Sequence, residues 1–133
     1  MPIAQFARNY QQAAIKTATP GQLILMLMDG ALGAMATARA GFQIEAFAPR
    51  MEKINNQLIK AQAILRELKA SLDLRGGGEF AARMWSLYDF MLDRLSAANI
   101  NKDPEPIAIV EKLLSEIRDA WAMMLEKSVT EAA

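Results

Sequence analysis

The feature that most constrains this chain is a run of apolar residues between Met51 and Leu72. Met51, Ile54, Leu58, Ala61, Leu65, Leu68 and Leu72 step alternately by three and four residues. That spacing places all seven on one stripe of an α-helix, whereas a strand would scatter them over both faces. The opposite face carries Lys53, Asn56, Gln57, Lys60 and Lys69. A helix of this kind must bury its stripe against another element. No segment shows the period-two pattern of a strand bounded by turns, so the partners are predicted to be helices.

Three other segments supply them. The first long helix is predicted from Pro20 to about Ile44. Thr19 is its expected N-cap, and Pro20 fits its first turn because the donor that proline lacks would be unpaired there. Leu23, Leu27, Ala31, Ala34 and Ala38 form one stripe; Ile24, Met28, Met35 and Phe42 form a second, rotated stripe. Two stripes imply a helix at the centre of a core, or one that keeps a face for a partner. Gly30, Gly33 and Gly41 lie within it. Each interior glycine costs about 0.5–1 kcal/mol relative to alanine, so close approach by another helix is expected, either within the bundle or from outside.

The second helix is expected to take Pro49 in its first turn and to stop near Asp73, before Gly76, Gly77 and Gly78. Those glycines allow a left-handed helix ending. No Lys-Ser/Thr pair follows them and no strand precedes them, so they do not read as a phosphate-binding loop. The third helix is predicted from Glu79 to Ala98, with Phe80, Met84, Leu87, Met91, Leu95 and Ala98 as its stripe and Trp85, Tyr88 and Leu92 beside it. Phe90 points away from that stripe, among Arg83, Asp89, Asp93 and Arg94, and marks a possible second contact face. Asp103 is the predicted N-cap of the last helix, with Pro104 in its first turn. Ile107, Val110, Leu114, Ile117, Trp121 and Met124 continue the same spacing there.

Four such helices joined by short turns predict an all-α, antiparallel up-down-up-down four-helix bundle. The whole chain, 1–133, reads as one domain. Residues 1–19 are expected to form an N-terminal arm or short helical cap, 20–126 the bundle and 127–133 a frayed tail. The arm carries Ile3, Phe6, Tyr10 and Ala13 on one helical face, and a helix this short needs something to dock on.

Composition limits the chemistry. Lys plus Arg and Asp plus Glu both number 15, so the formal net charge is +0. That argues against nucleic-acid binding driven by a basic surface. There is no cysteine and no histidine. Disulfides, thiolate chemistry and the histidine-dependent di-iron bundle site are therefore excluded. Nine methionines suit core filling better than haem ligation. No catalytic residue, metal or cofactor is expected. The run from Leu23 to Ala38 is the only membrane candidate. Asp29 within it would cost roughly 2.5–3.5 kcal/mol on insertion, so membrane insertion is not expected. Asp29 is either paired with an arginine at the bundle rim or kept as an anchor for a partner.

The residues Tyr10, Ile15-x-Thr17-Ala18-Thr19-Pro20, Leu23 and Met26-Leu27-x-Asp29-Gly30-Ala31-Leu32 resemble the flagellar secretion chaperone family FliS. So do Ile64-Leu65-x-Glu67-Leu68, Ser71-Leu72-Asp73, Leu87-Tyr88-Asp89-Phe90-Met91, Arg94-Leu95, Ala98-Asn99 and Leu113-Leu114-x-Glu116-Ile117-Arg118-x-Ala120-Trp121. The resemblance spans about Tyr10 to Trp121 and departs at Met28, where family members often carry an aromatic residue. It implies a cytosolic export chaperone, independent of ATP. Such a protein binds the C-terminal segment of flagellin in apolar grooves, prevents premature polymerisation and aids delivery to the type III export gate. An export-gate component is a possible second partner.

The expected partner-binding residues follow from the resemblance and the helical pattern together. Tyr10 and Ile15 are lid and latch; Leu23 and Leu27 are groove walls; Asp29 is a polar anchor; Gly30 is a floor for close approach. Leu72, Tyr88, Met91 and Leu95 are further candidates whose positions suit the bundle's own core equally well. The alternative is a self-associating structural bundle without a flagellin client, either monomeric or dimeric by exchange of its arm.

Overall fold

The computed structural model describes residues 18–132. Four helices follow in order: α1 (Pro20–Gly41), α2 (Phe47–Ala70), α3 (Gly78–Asn101) and α4 (Glu105–Ala132). Among the described residues there is no strand. The arm, with Tyr10 and Ile15, lies outside the described residues.

Each helix packs on its neighbours in sequence, and α4 closes the square by returning to α1. The pairing contacts run in opposite directions along adjacent helices. On α1 and α4, Trp121 meets Gly21, Arg118 meets Asp29 and Glu111 meets Arg39. On α2 and α3, Asn55 meets Asn99, Gln62 meets Ser96 and Lys69 meets Asp89. Neighbours in these pairs are therefore antiparallel, as connections of only a few residues require.

The core is built from the predicted stripes. Ile54, Leu58, Ala61, Leu65 and Leu68 of α2 are buried, with Met84, Met91, Leu95 and Ala98 of α3 and Ile107, Val110 and Leu114 of α4. From α1 come Met28, Ala31, Ala34, Met35 and Ala38. That set mixes the two predicted stripes: the buried face lies between them, and both edges stay partly exposed.

The helix ends show where local chemistry held and where it moved. Thr19 and Gln22 form a reciprocal capping box: the Gln22 N–H donates to Thr19 Oγ1 (3.2 Å) and the Thr19 N–H to Gln22 Oε1 (2.9 Å). α1 ends at Gly41 rather than Ile44, and α2 begins at Phe47 and ends at Ala70 rather than near Asp73. The glycine turn does not give α2 a left-handed ending, since its C-cap, Ser71, is right-handed. The positive φ falls instead on Gly78 (+58°), where α3 starts. α4 begins one residue later than expected; Asp103 Oδ1 accepts from the Glu105 N–H (3.0 Å). Its helix also runs on to Ala132, beyond the fraying expected from Lys127.

Candidate functional site: an apolar cavity and the outer face of the first helix

The glycines of α1 separate two kinds of surface. A Cβ built on Gly41 would lie 2.9 Å from Lys53 Cγ, and one on Gly21 would lie 2.6 Å from Leu125 Cδ2. Both let neighbouring helices of the bundle come close. A Cβ on Gly30 would meet only Ile64 Cδ1, at 3.4 Å, and one on Gly33 would meet nothing within 4 Å. These two glycines lie on the exposed side of α1 with Ala36, Thr37 and Ala40. Internal packing accounts for Gly21 and Gly41 but not for Gly33.

At one end of the bundle lies a cavity of about 460 Å³. Ile24 and Met28 of α1 and Ile117, Ala120, Trp121 and Met124 of α4 line it on one side. Ser71, Leu72, Asp73 and Gly77 from the α2–α3 connection, with Phe80, Ala81, Met84 and Tyr88 of α3, line the other. The cavity exists because α3 turns Phe80 outward, 59% exposed, and places the small Ala81 inward instead. Phe80 was expected on the core stripe. The buried seam of α3 runs through Ala81, Met84, Tyr88, Met91, Leu95 and Ala98, one residue to the side of the expected Phe80 and Leu87, which fall on its flank. Met124, expected on the core stripe of α4, is 49% exposed at the cavity rim.

The polar groups around the cavity are nearly all engaged. Trp121 Nε1 donates to the Gly21 carbonyl (2.9 Å), and Ser71 Oγ to the Leu68 carbonyl (2.6 Å). Asp73 Oδ1 accepts from the N–H groups of Arg75 (3.1 Å) and Gly76 (2.9 Å). Tyr88 differs. It is 2% exposed and lines the cavity, yet its hydroxyl makes no hydrogen bond among the described residues. Burial pushes its phenol up to about 12, so it remains a neutral donor at any ordinary pH.

The other expected site residues divide into three groups. Leu72 and Tyr88 line the cavity. Leu23 and Leu27 are partly buried on α1, near the exposed Asp29 and Gly30. Met91 and Leu95 are wholly buried in the core and present no surface to a partner in this state. The Asp29 carboxylate is paired: Arg118 Nε donates to Oδ1 at 2.7 Å and Nη2 to Oδ2 at 3.4 Å. That pair raises the Arg118 pKa, chiefly through the hydrogen bond to Asp29. An anchoring role for Asp29 would have to share its carboxylate with Arg118. Phe90 is exposed, as its polar surroundings implied.

The pattern of apolar residues did not reveal Trp121, Met124 or Phe80 as cavity residues. All three sit at the ends of regular stripes, next to the glycine turn where the facing helix stops. A stripe that outruns its partner was the available signal.

By length and composition α1 is apolar enough to cross a membrane, yet it carries Asp29 and contributes Met28, Ala31, Ala34, Met35 and Ala38 to the core. Fold and site together define an all-α bundle with an apolar cavity open at one end and an apolar outer face on its first helix. A model of the family described as "Flagellar protein FliS" matches residues 3–128. The chain is 39% identical over 117 residues to the flagellar secretion chaperone FliS of Bacillus subtilis, covering 88% of this chain and 84% of the relative. It is 36% identical over 126 residues to the protein of the same name from Salmonella typhimurium, covering 95% and 91%. With FliSB of Pseudomonas aeruginosa the identity is 34% over 118 residues, covering 86% and 90%. The chain belongs to the FliS family.

Proposed function

We propose that this protein is a cytoplasmic export chaperone for a flagellin. It binds the flagellin C-terminal segment over apolar grooves, keeps it from polymerising prematurely and aids its delivery to the flagellar type III export machinery. Family membership supports the role. The observation that carries the reading is α1. It is apolar enough to be mistaken for a membrane span, yet only 28% of its most apolar window is buried. Leu23, Ile24, Leu25, Met26, Leu27 and Leu32 are partly buried, and the exposed side between and beyond them is made largely of small residues, Gly30, Gly33, Ala36, Thr37 and Ala40. The small side chains around Gly33 suit close approach by a client helix, and the neighbouring cavity suits an anchor. Leu23, Leu27, Asp29, Gly30 and Leu72 remain the proposed contacts. Tyr10 and Ile15 are proposed to compete with the client for the same surface.

Calorimetric titration with the C-terminal segment of the cognate flagellin tests this. The intact chain is expected to bind with a negative heat-capacity change, the mark of buried apolar surface. Gly33→Leu, whose added side chain starts in open space, should fold normally and bind weakly. Absence of binding by the intact chain, combined with self-association in sedimentation, would favour a self-associating bundle instead.

A further inference from the structure

The first turn of α1 is held differently from the rest of that helix. Further along, Gly41 lies against Lys53 and Gly30 against Ile64. The same antiparallel register carries Gly21 to the level of Asp73, past the end of α2 at Ala70. α2 has stopped short of this turn, and α4 is the helix that continues beside it. α4 grips the turn at two points. Leu125 packs so closely on Gly21 that a Cβ there would lie 2.6 Å from its Cδ2. Trp121, one helical turn earlier, donates its indole N–H to the Gly21 carbonyl at 2.9 Å. A carbonyl oxygen has two lone pairs, so it can accept this bond beside a helical one. The missing side chain at Gly21 lets the two helices come close, and the Trp121 donor uses that approach.

That turn carries part of the candidate site. Leu23 is a proposed client contact, and Ile24 lines the cavity together with Trp121 itself. Apolar packing alone lets a helix end slide, whereas a hydrogen bond fixes both distance and direction. We propose that Trp121 is a positioning residue of the client site: by holding the Gly21 carbonyl it keeps the first turn of α1, with Leu23 and Ile24, in the place where the client meets it. The role rests on the chaperone reading and goes beyond it, because the indole N–H acts through α1 and not through a bond to the client. Without that bond the turn samples other positions, and the client binds only the fraction of molecules in the competent one.

The test titrates the full-length protein with the C-terminal segment of the cognate flagellin and follows amide hydrogen exchange by NMR. Trp121→Phe keeps an aromatic ring and removes the donor. The amides of Ile24 and Leu25 should then exchange faster, while those of the buried Ala34 and Met35 should not. Affinity for the segment should fall about three- to tenfold, since the variant loses no more than one neutral hydrogen bond is worth. Gly21→Leu should act from the other side, by forcing Leu125 and the first turn of α1 apart. Both changes break one contact, so the double variant should bind about as well as the weaker single variant. Losses that multiply in the double variant would overturn the proposal, as would binding equal to wild type in either single variant. Faster exchange spread evenly over all four helices of Trp121→Phe would overturn it too, because Trp121 would then serve only the stability of the bundle. These outcomes leave the chaperone reading intact as long as the wild type binds. A wild type that does not bind the segment would overturn the chaperone reading, and this inference with it.

Discussion

The two ends of the bundle are built differently. At the end formed by the α1–α2 and α3–α4 connections, polar side chains tie loops to helices. Arg50 Nη1 donates to the carbonyls of Ile44 and Glu45, both at 3.0 Å. Asn99 Nδ2 donates to Asn55 Oδ1 (2.9 Å) and its own Oδ1 accepts from Lys102. Arg39 holds Glu111 through two contacts, at 2.6 and 3.1 Å. At the other end three glycines connect α2 to α3, a cavity opens, and the Tyr88 hydroxyl is unpaired among the described residues. The helices are continuous between the two ends, so the difference lies in what their last turns meet. A bundle can be closed where stability is needed and left unfinished where a partner is to complete it.

The largest expected effect breaks the closed half. Leu58→Ala removes a wholly buried side chain and should cost about 2–5 kcal/mol in urea unfolding. Leu72→Ala, at the cavity, should cost much less, because its neighbours already face open space. Comparable losses at both positions would mean that the open end is as tightly packed as the rest.

Alkali should act on the open end. The Tyr88 phenol is raised from 10.0 to about 12. Below pH 10 it is neutral in both folded and unfolded chains, and its contribution is complete. As pH rises past 10 the unfolded chain ionises first, so stability falls until the folded phenol titrates near 12. Subtracting the profile of Tyr88→Phe removes the lysine titrations common to both. A difference that stays flat from neutral pH through this window would show that Tyr88 is solvated rather than buried.

Asn99→Ala sharpens the contrast more gently. It removes the side chain that joins Asn55 to Lys102 and should cost about 1 kcal/mol. Client binding should be unchanged, because the site is at the opposite end. The smallest effect has the opposite sign. Gly33→Ala meets no neighbouring atom and should stabilise α1 by about 0.5–1 kcal/mol, read from the thermal midpoint. Destabilisation would mean that the outer face of α1 is covered by another part of the chain.

Much of this molecule was legible before any fold was known. The alternation of threes and fours fixed four helices and the inward side of α2, because side-chain direction in a helix follows from position alone. Thr19-Pro20 announced the start of α1 for an equally local reason: a hydroxyl acceptor and a residue without an N–H suit a helix N-terminus. Contacts between distant segments were not legible in that way. Arg118 as the partner of Asp29 lies 89 residues away. Gly41 and Gly33 look alike in sequence, yet one is pressed against Lys53 and the other faces open space. The cavity itself depends on where α2 stops, on the small Ala81 facing inward and on how α4 passes α1. Periodicity determines which way a side chain points; only packing decides whether anything is there to meet it.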